Sequence, residues 1–278
     1  MQKLKKPEYN ISDIIDQCCS SFRGKNKVLN YDDERTYIVN QAETYDNLAK
    51  KNSLYDICIK RTPPDWWLNE ARMLKMYNTK FVAFPPVRSQ YYDQILTSEL
   101  KCPICGIAEP STLDHYLPKS EFPIFAVLPY NLVPMCSRCN GTKSITTFNN
   151  LLDMPLHAYY EDLDNTEWLK ANILFKENIF NVEYVVSNEL EDQTLYIRLT
   201  KHLALYELNS RLSKSAMFEI AENRLVWLDT KKEHGAEALK SLFKLMQKST
   251  SSHRMNSWKS ALYKALIDEK NIDIILHM

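Results

Sequence analysis

The sequence predicts a mainly α-helical protein with a small α+β insert near the middle of the chain. Only four of the 278 residues are glycine, which suits a largely helical chain because glycine destabilises helix interiors. Apolar residues recur at helical spacing on both sides of the centre. The centre itself holds two cysteine pairs, several prolines and short strand-like runs. We therefore predict three regions, residues 1–100, 101–150 and 151–278, and place the insert in the second.

The first region is predicted to consist of helices separated by proline pairs. Residues 1–30 show little periodicity, which predicts a loose arm with one short helix. The proline pairs at 63–64 and 85–86 interrupt the apolar pattern, because proline lacks an amide donor and clashes with the preceding turn. Asp65 is a suitable N-cap for the helix after the first pair. The predicted helices are about Ile11–Phe22, Asp32–Cys58, Trp66–Tyr77 and Ser89–Leu100.

The third region begins with an acidic segment and then returns to helix. Residues 149–200 carry ten acidic and three basic side chains, whereas residues 201–278 carry nine acidic and thirteen basic ones. The β-branched and aromatic runs at 173–175 and 182–186 predict a short hairpin. Helical periodicity follows over about 195–228, Ala236–Lys248 and Ser257–Ile267.

The overall composition is that of a globular protein in a reducing compartment. Lys and Arg balance Asp and Glu at 35 each, so the zero net charge gives no general support to nucleic-acid binding. No apolar run approaches the roughly 18 residues of a membrane span, and the basic N-terminus lacks the apolar stretch of a signal peptide. We expect a cytoplasmic protein that does not contact a membrane. Its charge is segregated along the chain, which allows a local basic surface.

Two Cys-x-x-Cys pairs with 30 residues between them predict a structural metal site. Four thiolates in tetrahedral array favour zinc and close the site to substrate, whereas one pair alone could be a redox centre. The alternative is four cysteines that bind no metal. The other cysteines, Cys18, Cys19 and Cys58, are interpreted as buried small apolar residues. The predicted zinc ligands are Cys102, Cys105, Cys136 and Cys139.

Polar residues between the cysteine pairs have the character of a reaction centre. Asp114 and His115 end an extended run that we predict to be a strand, and the prolines at 118, 123 and 129 predict a loop after it. Residues 131–133 are the predicted returning strand, which Pro134 would end. A helix is predicted over 137–144. The expected order is therefore strand, loop, strand, helix.

This segment resembles the HNH endonuclease family. The motif is carried by Asp-His-Tyr-Leu-Pro-Lys-Ser at 114–120, Asn-Leu-Val-Pro-Met-Cys at 131–136 and Cys-Asn-Gly-Thr-Lys at 139–143. The framing cysteines match the zinc-stapled subgroup, and the runs at 155–160 and 168–169 also resemble stand-alone bacterial members. The resemblance covers about residues 100–145 closely. It implies a ββα-metal fold, phosphodiester hydrolysis and, by association with such proteins, a role in phage defence.

The resemblance also implies roles for five residues. His115 matches the general base that takes a proton from water, and Asp114 matches the carboxylate that holds one divalent ion. Asn131 matches the central asparagine, which braces the loop and orients the histidine. Asn140 stands as a second metal ligand where the family often has histidine, and an amide oxygen there favours Mg²⁺ or Mn²⁺. Lys143 occupies a position where a basic residue commonly faces phosphate.

Other basic residues are candidates for contacts with nucleic acid. Lys240, Lys244 and Lys248 recur every four residues and so share one helix face. They either neutralise phosphates or form the ordinary solvated face of an amphipathic helix. Lys119 and Arg138 are further candidates inside the motif. His157, which lies among apolar and aromatic residues, is interpreted as a packed histidine.

The sequence thus predicts a metal-dependent endonuclease that hydrolyses DNA with a histidine base and one divalent ion. Two alternatives stay open. One is a zinc-knuckle protein that binds nucleic acid without cutting it. The other is an interaction subunit that cuts only in complex with an ATPase or a sensor protein. A homodimer is a further option, because one unit of this kind cuts a single strand.

Overall fold

The chain divides into an N-terminal unit and a C-terminal unit. The computed structural model describes residues 1–24, 30–58, 62–143, 148–163, 165–176 and 179–276. The described residues are mainly helical with two small antiparallel sheets, so the coarse fold class predicted from the sequence is confirmed. The N-terminal unit consists of Leu4–Pro103 and Ala108–Glu161, and the C-terminal unit consists of Met1–Lys3, Ile104–Ile107 and Asp162–Met278.

Helices dominate the first part of the N-terminal unit. They are α1 (Ile11–Ser20), α2 (Asp32–Lys50), α3 (Glu70–Met76), α4 (Pro85–Val87) and α5 (Asp93–Leu96). π-Helical turns extend α3 over Tyr77–Phe81 and join α4 to α5 over Arg88–Tyr92. Ile14, Ile15 and Ile38 are fully buried, which shows that the apolar periodicity of the sequence marks the packed helix faces.

The start of α3 differs from the prediction. Asp65 does not cap this helix. The N-cap is Asn69, whose side chain accepts a hydrogen bond from the amide of Arg72 at 3.1 Å. The carboxylate of Glu34, on α2, accepts hydrogen bonds from the backbone amides of residues 67 and 68. Those amides are therefore satisfied outside a helix, and α3 begins only at Glu70.

The second proline pair starts a helix as well as interrupting one. Pro85 is the first residue of α4, a position that suits proline because the amide donor it lacks has no partner there. Helical structure then continues to Leu96, short of the predicted end at Leu100, which is exposed. Among the cysteines outside the two pairs, Cys18 and Cys19 are buried as predicted, whereas Cys58 is exposed, contrary to the prediction.

A hairpin followed by a short helix forms the centre of the N-terminal unit. β1 (Thr112–His115) pairs antiparallel with β2 (Leu132–Met135), and α6 (Ser137–Lys143) follows, which confirms the predicted order of elements. Pro134 does not end the second strand, contrary to the prediction. It pairs opposite Leu113, where the ladder requires no amide donor from β2. The predicted helix end at residue 144 lies outside the described residues.

The C-terminal unit combines a second hairpin with long helices. Its elements are β3 (Leu169–Lys176), β4 (Ile179–Val186), α7 (Gln193–Leu205), α8 (Leu208–His234), α9 (Ala236–His253), α10 (Trp258–Leu266) and α11 (Glu269–Leu276). The predicted hairpin is confirmed, with α8 packed on β4 and α10 on β3. Trp227 on α8, Phe243 on α9 and Tyr263 on α10 pack their rings against one another where these helices meet. Among the described helices, none has the length and apolarity required to cross a membrane.

Candidate functional site

Four buried cysteines bring their sulfur atoms together. All four sulfurs lie within 4.8 Å of one another, which accommodates the separation of about 3.8 Å expected between thiolates around one tetrahedral ion. Among the residues that the structure describes, this is the one group of three or more His, Cys, Asp or Glu side chains placed to hold a metal ion. The group could therefore bind metal, and its members are Cys102, Cys105, Cys136 and Cys139.

A buried ion pair connects α6 to β1. The Lys143 Nζ lies 2.8 Å from Oδ2 of Asp114 and donates a hydrogen bond to the main-chain oxygen of His115 at 2.7 Å. The Lys143 side chain is 1% exposed and that of Asp114 is 8% exposed. Burial raises the pKa of the Asp114 carboxyl, and the neighbouring ammonium opposes that shift. In this structure Lys143 is the counterion of Asp114.

This placement of Lys143 differs from the phosphate contact that the resemblance implies. A phosphate group would approach from solvent, whereas the Lys143 ammonium is enclosed, hydrogen-bonded to the main-chain oxygen of His115 and paired in charge with Asp114. The Lys143 ammonium therefore faces the interior and not a substrate. Sequence spacing placed this lysine on the correct helix but did not indicate which way its side chain turns.

His115, the last residue of β1, is held in one tautomer by the loop that follows. Its Nε2 lies 2.9 Å from the main-chain oxygen of Ala126. Because a carbonyl oxygen only accepts, Nε2 carries the proton and Nδ1 is the unprotonated nitrogen. The ring also meets Tyr77 edge-on, with 4.6 Å between centroids. Burial lowers the pKa of His115 to about 3, so the imidazole is neutral at physiological pH.

The side-chain amide of Asn131 braces the loop between β1 and β2. Asn131 is fully buried, and its Oδ1 accepts hydrogen bonds from the Leu117 amide at 2.8 Å and from the Tyr45 hydroxyl at 3.0 Å. Its Nδ2 donates to the main-chain oxygens of Leu117 at 3.1 Å and Phe125 at 3.2 Å. Phe125 precedes Ala126, whose carbonyl binds the imidazole. Asn131 therefore fixes both ends of the loop that orients the candidate base.

Asn140 lies on α6 and faces the same side of β1 as Asp114. Its Nδ2 donates to Oγ1 of Thr112 at 3.0 Å, a bond that does not use its amide oxygen. Strand alternation places Thr112 and Asp114 on one face of β1 and His115 on the other. The structure therefore gathers the two candidate ligands beside α6 and places the imidazole on the loop side.

Tyr77 and Lys119 extend the site beyond His115. The Lys119 Nζ lies 4.3 Å from the ring centroid of Tyr77 and donates a hydrogen bond to Oδ1 of Asn78 at 3.2 Å. Burial lowers the pKa of Lys119. Tyr77 thus contacts both the candidate base and a candidate phosphate ligand. Sequence reasoning missed Tyr77, since only the π-helical turn over Tyr77–Phe81, a feature often found at functional sites, singles it out.

The other predicted basic residues lie on helix surfaces. Arg138 is exposed in the first turn of α6, and Lys244 and Lys248 are exposed on α9. Lys240 lies 3.3 Å from Oε1 of Glu269, so an acidic neighbour already balances part of the positive charge on this helix. The face of α9 that carries Leu239 and Phe243 is buried, as the amphipathic pattern predicts. A role of the lysine face in nucleic-acid binding stays a prediction.

Comparison with known proteins identifies one similar phage protein. The chain is 28% identical over 184 residues to "Protein ea31" of Escherichia phage lambda. The match covers 63% of this chain and 62% of ea31, so the chain spans less than two thirds of that relative's length. No protein-family model and no solved structure matches the chain. The name of ea31 states no activity, so a function for this chain has to be proposed from the residues of its own site.

We expect the folded chain to lose stability as the pH falls below about 6.5, the ordinary pKa of histidine. His157 is buried, and burial lowers its pKa well below that value. The unfolded chain then binds more protons than the folded chain, and the free energy of unfolding falls by up to about 1.4 kcal/mol per pH unit for each such histidine. Thermal unfolding at about pH 5 and about pH 7.5 measures the loss.

The variant His157→Gln removes this titrating group, and the matched control is His234→Gln, because His234 is exposed. The first variant should lose less stability on acidification than wild type, and the second should behave like wild type. An unchanged acid sensitivity in His157→Gln would contradict the assignment of a neutral buried imidazole.

Proposed function

We propose that this chain is a metal-dependent endonuclease of the HNH type that hydrolyses phosphodiester bonds in DNA. One observation carries the proposal: a ββα segment framed by four clustered cysteines. The end of β1 holds Asp114 and His115, the turn before β2 holds Asn131, and α6 holds Asn140. These are the elements on which the resemblance to the HNH family requires the base, the brace and the two metal ligands.

His115 is the proposed general base. Its Nδ1 is unprotonated, so a proton from the attacking water would pass to that nitrogen. A pKa of about 3 makes the unliganded imidazole a weak base. An anionic phosphate close to the ring would raise the pKa of the imidazole, since a nearby negative charge favours its protonated form. Substrate binding would thereby strengthen the base at the moment it is needed.

Asp114 and Asn140 are the proposed ligands of a Mg²⁺ or Mn²⁺ ion. Carboxylate and amide oxygens are hard donors, and Mg²⁺ commonly combines one or two protein oxygens with water and substrate phosphate. The ammonium of Lys143 beside Asp114 is a stand-in cation, which supports the fit of a positive ion at this carboxylate. When bound, a divalent ion supplies charge stabilisation to the phosphate and the departing oxygen.

The cysteine cluster is the proposed structural zinc site. Four sulfur donors satisfy tetrahedral zinc completely, which leaves no position for substrate. The cluster joins the turn before β1 to the start of α6, so a bound ion would fix both ends of the ββα segment. Its proposed role is to hold the segment rigid.

The purified chain should contain about one zinc ion, because four thiolates form one closed site. Cys102→Ser and Cys139→Ser should each lower the bound zinc and the midpoint of thermal unfolding. Cys58→Ser is the matched control, since Cys58 is an exposed cysteine outside the cluster. Elemental analysis by mass spectrometry measures the zinc. Wild-type protein purified without chelators that proves metal-free would contradict the zinc assignment.

The chain should nick supercoiled plasmid in the presence of Mg²⁺ or Mn²⁺ and should lose this activity in EDTA. His115→Ala should lower the nicking rate by about 100-fold or more, because general-base catalysis contributes on that order. His234→Ala is the control, since this histidine is exposed and remote in sequence from the motif. Nicking by His115→Ala at the wild-type rate would remove the proposed base.

Lys119 is the basic residue that the geometry supports best as a phosphate contact. Its ammonium and the imidazole of His115 both lie against the ring of Tyr77. A phosphate positioned for attack near the imidazole would therefore lie close to a positive charge. The exposed lysines of α9, Lys244 and Lys248, are proposed as a second and weaker contact surface.

Lys119→Gln should weaken binding to duplex DNA and reduce the slope of log affinity against log salt by about one, as expected for one lost phosphate contact. Fluorescence anisotropy in EDTA measures binding without cleavage. Lys170→Gln is the control, since Lys170 is an exposed lysine with no proposed phosphate contact. If Lys119→Gln binds with wild-type affinity and salt dependence, Lys119 is not a phosphate contact.

A second candidate function, a subunit that cuts only within a complex, is favoured by one observation. Asp114 is engaged by Lys143, and the imidazole lies on the other face of β1. This arrangement suits a site that is completed when a partner, such as an ATPase, a sensor protein or a second copy, binds. Zinc content and DNA binding without nicking by the isolated chain would support this candidate over the first.

A further inference from the structure

We propose that Tyr45 and His157 form a positioning relay that sets the amide of Asn131 and, through it, the orientation of His115. The inference rests on the proposed function of the site, in which His115 is the general base. Tyr45 lies outside the residues that carry the resemblance to the HNH family, and His157 lies outside the ββα segment, in the run at 155–160. Tyr45 lies on α2, and His157 follows the ββα segment. Both are buried beside Asn131.

The hydrogen bonds of the relay all run from donor to acceptor in the same order, from His157 through Tyr45 to Asn131. The amide of Tyr159 donates to Nδ1 of His157 at 3.3 Å, so Nδ1 carries no proton. In a neutral imidazole Nε2 is then the donor, and it lies 3.1 Å from the Tyr45 hydroxyl. That hydroxyl in turn donates to Oδ1 of Asn131 at 3.0 Å. Each group therefore accepts from one neighbour and donates to the next.

The orientation of the Asn131 amide determines which backbone groups it can bind in the loop that contacts His115. With its oxygen occupied by two donors, its nitrogen faces the main-chain oxygens of Leu117 and Phe125. The next carbonyl, that of Ala126, receives the proton of His115 Nε2. If the amide of Asn131 were reversed, donors would face donors and acceptors would face acceptors. The Tyr45 hydroxyl therefore favours the amide orientation that orients the imidazole.

Aromatic contacts hold the relay residues in place. The ring of His157 packs on Tyr116 with 4.0 Å between centroids and meets Tyr160 edge-on at 4.7 Å. The ring of Tyr45 meets Phe125 edge-on at 5.1 Å. Because these contacts use ring faces and edges, Tyr45→Phe removes the hydroxyl and leaves the packing in place. The contribution of the Tyr45 hydroxyl can therefore be measured separately from that of the ring packing.

The test compares Tyr45→Phe with Tyr130→Phe, which removes a hydroxyl from the same aromatic cluster. The Tyr130 hydroxyl donates to the main-chain oxygen of Ala42 and not to Asn131. Hydrogen exchange at the amide of Leu117, which binds Asn131 directly, should accelerate about two- to tenfold in Tyr45→Phe, as expected for one lost hydrogen bond. Plasmid nicking should show a similar fall in kcat with KM unchanged.

The variants at His157 complete the test. His157→Phe should reproduce the effect of Tyr45→Phe, and His157→Gln, which retains a donor, should recover part of the wild-type exchange and rate. Leu117 exchange that is unchanged in Tyr45→Phe, or equally accelerated in Tyr130→Phe, overturns the relay. The exchange measurement decides this even if the wild-type chain does not nick DNA, an outcome that would instead count against the proposed function.

Discussion

The arrangement of the candidate site depends on a single buried amide, that of Asn131. It has two hydrogen-bond donors and an oxygen with two acceptor positions, and all four are used within the N-terminal unit. An amide buried in this way has no water to replace a lost partner, so each bond constrains the others. The loop between the strands, the tautomer of His115 and the packing of α2 against the hairpin are therefore linked through one side chain.

Charge in the site is compensated internally before any ligand binds. The carboxylate of Asp114 is paired with Lys143, and the imidazole of His115 is neutral. Because an unpaired buried charge would cost several kcal/mol, the pairing offsets the cost of burying the Asp114 carboxylate. Entry of a divalent ion would then require Lys143 to yield its place at Asp114. The resting arrangement thus compensates the buried charge of Asp114, and in the proposed function binding of the ion and phosphate would have to supply the free energy of reorganisation.

Local patterns predicted much of this site, and tertiary contacts account for what they missed. Spacing alone indicated the cysteine cluster and the strand, loop, strand, helix order, because both depend on residues close in sequence. Pro134 was misread because a proline can remain in a strand where its nitrogen faces away from the ladder. Tyr45 and Tyr77 were missed because helices far away in sequence bring them to the hairpin. The burial of Lys143 depended on the packing of α6, which periodicity in a helix this short does not specify.

The hairpin also has consequences for how another molecule can approach it. In a two-stranded ribbon, alternate backbone groups of each strand point outward and could pair with a further strand. Here the outward oxygen of His115 accepts from Lys143, the outward oxygen of Leu132 accepts from Tyr159, and Pro134 has no hydrogen to offer. These three positions are therefore unavailable for pairing with a further strand. At these positions a binding partner would meet side chains and not free backbone groups, which also disfavours pairing of so small a sheet with copies of itself.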